Sequence, residues 1–180
     1  LDNFAESFNQ LVSLNPHEIQ LGILKRLRGA PLNRHNNNFA LNYNPQAPYN
    51  ILSTSTVDFM TMQRVNRFAR FWDMIGNSGR FINTLPLILA DDAFLRFMLV
   101  SDRLFEISGS TWKIALKRLF ELLFVVLTED LAIDEQTVKD HLKLDYARAG
   151  VKGILDYENL PSLNKPAKAG VANKRQRYHG

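Results

Sequence analysis

The sequence predicts a mainly α fold, a bundle-like helical body preceded by a single helix–strand unit. Three observations lead there. From about Val57 onward, apolar residues recur three to five positions apart, the spacing of one helix face. The run Leu122–Leu127 contains no polar residue, as a helix buried on all sides requires. Only one stretch, Ile19-Gln20-Leu21-Gly22-Ile23, alternates with the two-residue period of a strand.

In chain order, Asp2 is placed to cap a first helix whose stripe is Phe4, Phe8, Leu11 and Val12. Asn15-Pro16 ends it, because the residue before proline avoids the helical region. The strand Ile19–Leu24 follows after a short loop. A helix and a strand make half of a βαβ unit, and half a unit alone leaves an apolar face without a neighbour. Residues 25–56 read as irregular, broken by Gly29, Pro31, Asn36-Asn37-Asn38, Pro45 and Pro48. Phe39, Leu41, Tyr43, Tyr49 and Ile51 make this segment too apolar for a free linker, and 39–43 reads as a short strand.

The next helix carries Val57, Met60, Val65, Phe68, Trp72 and Ile75, with Arg64, Arg67 and Arg70 between them as its wet face. Gly76-Asn77-Ser78-Gly79 stops it. Asp91 or Asp92 caps a helix through Phe94, Met98 and Phe105 to Gly109, a better use of that pair than catalytic carboxylates. Ser110 or Thr111 is the expected cap of the central core helix, through Trp112, Leu116, Leu119, Leu123 and Val126. Asp134 caps the last helix, with Ile133 and Val138 as its hydrophobic staple and Val138, Leu142 and Tyr146 as its stripe, ending near Gly150. From Pro161 onward Pro, Ala, Gly and Lys dominate, the composition of a disordered tail. The domain organisation is thus 1–35, a terminal helix–strand; 36–158, a helical domain; and 159–180, a basic tail.

Composition removes several functions. The absence of cysteine excludes disulfides, thiolate metal sites and cysteine nucleophiles in this chain, and suits a reducing cytoplasm. His17, His35, His141 and His179 are scattered without the spacing of a metal motif. No phosphate loop or serine nucleophile elbow occurs, so the chain offers no catalytic residue of its own. The longest apolar run is far shorter than the ~20 residues that span a bilayer. The net charge of +4 is concentrated in Lys165, Lys168, Lys174, Arg175 and Arg177. Without those five, 17 basic residues face 18 acidic ones, so the basicity belongs to the tail and the whole-chain charge is poor evidence for a nucleic-acid-binding face.

Composition and spacing carry no further than a mostly helical domain, and the functional content comes from a resemblance. Leu27-Arg28-Gly29-Ala30-Pro31-Leu32, after the strand Ile19–Leu24, resembles the L-x-G-T-P-L segment that follows a late barrel strand in radical S-adenosylmethionine enzymes, with Ala30 in place of the usual Thr. The fuller strings LGILKRLRGAPLNRH, PYNIL and MQRVNRFARFWDMIGNSGRF are similar to one subgroup of that family. Lys174-Arg175-Gln176-Arg177 resembles that subgroup's ending. The subgroup joins a cobalamin-binding domain, the radical barrel and a helical C-terminal extension of unknown function.

The resemblance implies that residues 1–35 are the end of an α/β barrel and 36–158 the extension. The chain is then a C-terminal fragment, inactive alone, of an enzyme of oxidoreductase or methyltransferase type. The parent would use S-adenosylmethionine, an iron–sulfur cluster and cobalamin, none of them held within this chain. Its partners would be the parent's N-terminal domains, with a homodimer of the fragment as a way to cover the strand. By the same resemblance Gln20, Gly22 and Leu24 are candidates for contact with S-adenosylmethionine. Barrel enzymes act at the C-terminal ends of their strands, which puts Lys25, Arg26, Arg28, Gly29 and Arg34 on the substrate side. For Lys25, Arg26 and Arg28 the alternative is a solvated turn or salt bridges to the helical extension. The competing reading of the chain is an independent helical interaction or nucleic-acid-binding module using the Arg helix and the tail. A bare apolar patch at Ile19, Leu21 and Ile23 would favour truncation.

Overall fold

The computed structural model describes residues 1–155 and residue 157. The elements run α1 (Asp2–Ser13), a 3-10 turn (Pro31–His35), β1 (Asn42–Tyr43), β2 (Ile51–Ser53), α2 (Phe59–Ile75), α3 (Leu85–Leu89), α4 (Ala93–Ser108), α5 (Leu116–Val125), a π turn (Val126–Asp130) and α6 (Glu135–Arg148). The fold is mainly helical, with β1 and β2 forming one two-stranded antiparallel ribbon. No helix among the described residues is long and apolar enough to cross a membrane. The expected basic tail lies outside the described residues.

Three long helices start on aspartates: Asp92 and Asp134, the expected caps, and Asp58, which the expected helix start at Val57 passes over. The side chains of Asp58, Asp92 and Asp134 accept from the backbone N–H three residues on, at 2.8 Å, 3.0 Å and 2.9 Å. These bonds hold all three carboxyl groups below their ordinary range, with the backbone donor the leading cause. Asp2 caps nothing; it is already the first residue of α1. Gly109 closes α4 in the left-handed conformation, φ 67°, a geometry that favours glycine.

α5 differs from expectation at its start. It begins at Leu116 without a side-chain cap. Ser110 instead accepts from Trp112 N–H in a local turn, and Lys113 takes a positive φ, which breaks any earlier helix. Trp112 therefore lies outside the core and is 66% exposed. The apolar end is as read: Leu122 through Leu127 are all buried. The helix widens there into the π turn, and Thr128 Oγ1 donates a hydrogen bond to Phe124 C=O at 2.8 Å.

One continuous core joins α1 to the helical body. Phe8 packs edge-on against Phe68 and Trp72 at ring-centre distances of 5.0 and 4.8 Å, and Phe4 against Phe94 at 5.6 Å. Asn9 reaches from α1 to the start of α4, accepting from Phe94 N–H and donating to Asp92. At the other end of the molecule Asp145 is fully buried and accepts four hydrogen bonds, from the backbone N–H and side chains of Asn83 and Thr84. This satisfaction is what permits a carboxylate in the interior.

The stretch expected to be a strand is extended but forms no ladder. It is held by side chains in place of a neighbouring strand. The Asn77 amide accepts from Ile19 N–H at 3.1 Å and donates to Ile19 C=O at 3.0 Å, and Trp72 Nε1 donates to the same carbonyl at 3.1 Å. Pairing begins only at the stretch's end. Ile51 N–H donates to Leu24 C=O, Arg26 N–H donates to Tyr49 C=O, and Lys25 bridges Asn50. Ile19 is buried, while Leu21 and Ile23 are half-buried, so no bare apolar patch forms there. Of the apolar residues in the following segment only Ile51 is buried; Phe39 and Tyr49 are exposed.

A candidate cationic cleft between the extended segment and helix α2

Residues 21–25, held as described, run beside α2 and leave a cleft of about 710 Å³. Its other walls are β2 with Asn44 and Asn50, and the end of α4 with the loop that carries Trp112. The α2 side contributes Gln63, Asn66, Arg67, Arg70 and Asp73. A smaller apolar cavity of about 220 Å³ shares Leu21, Gly22, Ile23 and Ala69 with it and is otherwise lined by α1, Gln20 and Val65. The cleft is thus polar on its α2 side and continuous with apolar wall.

The arginines of α2 are not a solvated row. Asp102 of α4 accepts from Arg64 at 2.8 Å and from Arg67 at 3.3 Å, the Arg67 side chain being only 21% exposed. The Arg67 guanidinium lies 4.7 Å from the centre of the Phe105 ring, and that of Arg70 lies 4.2 Å from the Trp112 ring. The helix turns these residues inward because Phe105 and Trp112 give their long stems an apolar surface to lie on. The Nε groups of both are buried without a hydrogen-bond partner, and so is Oδ1 of Asn50.

The cleft collects two of the residues expected to form the site, Gly22 and Lys25. A Cβ at Gly22 would meet nothing within 4 Å, so the backbone there is open to a ligand. Gln20 lines the smaller cavity and turns its amide to Glu18. Leu24 gives its carbonyl to the ribbon. Arg26, Arg28 and Gly29 are exposed and do not line the cleft; Gly29 has φ 73° with open space around it, so it serves a turn and not a close approach. Arg34 is exposed and donates to His35. Sequence reasoning missed Arg67, Arg70 and Trp112 as wall residues. Alternation of arginine with Phe68, Phe71 and Trp72 was the available signal, and the true stacking partners lie 38 and 42 positions away.

The chain supplies no cysteine thiolate for an iron–sulfur cluster, and among the described residues no three His, Asp or Glu side chains gather as a metal site. The residues present therefore do not fit a cluster, and what they offer is cationic and amide groups for a ligand.

A family model described as "Protein of unknown function (DUF4080)" matches residues 37–173. No curated protein and no solved structure matches the chain.

Proposed function

The chain belongs to the DUF4080 family, and from that premise we propose that it is the C-terminal region of a cobalamin-dependent radical S-adenosylmethionine enzyme of the cytoplasm. Its helical body shapes and covers the substrate side of the parent's barrel. Within the parent, S-adenosylmethionine, the iron–sulfur cluster and cobalamin supply the radical or methyl-transfer chemistry, and this chain supplies placement and exclusion of water.

One observation carries the reading. The extended segment that resembles the closing barrel strand ends in a cleft whose opposite wall is the family's helical region, at Arg67, Arg70 and Trp112. On this reading residues 19–25 are the end of a barrel strand, and barrel enzymes act at that end of their strands. Gly22 leaves backbone open there, and Lys25 brings a charge. The nucleic-acid alternative is weakened on the α2 side, because Arg64 and Arg67 are paired with Asp102.

The test is made on the gene and then on the protein. The coding sequence upstream of Leu1 is expected to contain three cysteines spaced C-x3-C-x2-C within about two hundred codons, the size of a barrel. The full-length protein, purified without oxygen and reduced, then releases 5′-deoxyadenosine from S-adenosylmethionine. An upstream sequence without those cysteines, or a reconstituted full-length protein that releases none, would overturn the proposal.

A further inference from the structure

We infer that the cleft beside α2 is a binding site for a small organic anion, with Arg70 as its principal contact and Lys25 at its rim. The inference concerns this chain alone and stands whether or not the parent is a radical enzyme.

Charge and partnering lead to it. Among the described residues Arg70 makes no ion pair, whereas Asp102 engages Arg64 and Arg67, and Asp130 engages Arg103. Its guanidinium is covered by the Trp112 ring, and its Nε is buried without an acceptor. Nε is enclosed, so a carboxylate or phosphate in the cleft would meet the terminal N–H groups of the guanidinium, which are not enclosed. Asp73, which lines the same cleft, does not pair with Arg70 within 4.0 Å and accepts from Asn77 at 3.2 Å. Lys25, exposed at the rim, also has no ion pair among the described residues. The Trp112 ring excludes water from one side of the guanidinium, which strengthens its attraction for a negative charge. A planar guanidinium suits the two oxygens of a carboxylate or phosphate. Asn44 and Asn50 add amide groups to the lining of the same cleft. The apolar wall at Leu21 and Ile23 gives room for a carbon skeleton.

The purified chain is titrated calorimetrically with inorganic phosphate and, separately, with malonate, at constant ionic strength set with chloride. Saturable one-to-one binding of either probe is expected; phosphate alone identifies a phosphorylated ligand class and malonate alone a carboxylate class. Arg70→Gln should weaken the bound probe at least tenfold while lowering the melting temperature by only a few degrees, because no ion pair is lost and only the contact with the exposed Trp112 ring goes. Lys25→Gln should weaken it about threefold and serves should Arg70→Gln not fold. Absence of saturable binding of both probes overturns the inference. So does binding that survives both substitutions, which would belong to another cationic surface such as Lys117, Lys139 and Lys143.

Discussion

Gly76 closes α2 beside the indole of Trp72, and a methyl group built on it would sit 2.7–2.8 Å from three ring atoms. The ring has nowhere to go. It is 3% exposed, packs on Phe8 and Phe97, and donates to Ile19 C=O. Gly76→Ala should therefore destabilise the fold by ~2 kcal/mol, as overpacking of a well-filled core does. For a chain of this size that is a fall in melting temperature of roughly 4–8 °C, measurable by calorimetry. The glycine is visible in the sequence, but there it reads only as a helix stop. Its contact with Trp72 is local, four residues back, but the ring is fixed by a hydrogen bond to Ile19 across 53 positions that no local pattern announces. Arg70 and Trp112 are a second case. The helix spacing correctly places Arg70 opposite the core stripe. Whether that face meets water or an aromatic ring is decided by the loop after α4.

Among elements, those specified by their own ends were legible. α4 and α6 begin at the aspartates and close near the glycines that the sequence offers. α5 was misplaced at its start because Ser110 and Thr111 look like caps, while the hydroxyl of Ser110 is used within a turn. The expected strand 19–24 was legible as extended chain but not as a member of a sheet, since its partners are the side chains of Trp72 and Asn77. The α4 start also gives a pH prediction. Asp92 accepts from Leu95 N–H and from Asn9, and its folded carboxyl is held below the ordinary value. A lowered folded pKa contributes stability that is present above the unfolded value near pH 4 and is lost as pH falls through the folded one. Asp92→Ala should cost about 1 kcal/mol at pH 7. Urea melts of both proteins from pH 7 down to pH 2.5 should show the difference shrinking below about pH 4. A difference that stays constant with pH would remove the carboxylate's charge from the account.

At the scale of the whole molecule, the family match begins at residue 37, yet the core does not. Phe8 is 1% exposed and Ile19 7%, and both belong to the same buried cluster as Phe68, Trp72, Phe94 and Phe97. The sequence suggested a helix–strand unit with an uncovered face; the structure covers that face with α2 and α4. The reason is geometric. A stripe of Phe4 and Phe8 on a twelve-residue helix fits the groove between two longer helices as readily as it fits a barrel. A chain starting at residue 37 should therefore be much less stable than the full one. Losing Phe8 and Ile19 alone removes roughly 3–6 kcal/mol of burial, comparable with the whole stability of a marginal domain. It also bares Phe68, Trp72 and Phe94, so the shortened protein should bind a hydrophobic dye or aggregate at concentrations where the full chain stays monodisperse by light scattering. Should the shortened chain melt within a few degrees of the full one, α1 would be an appendage, and the cleft that its extended continuation lines would have no fixed wall. The site and the fold are thus tested together, since the segment that completes the core is the one that leads to Gly22 and Lys25.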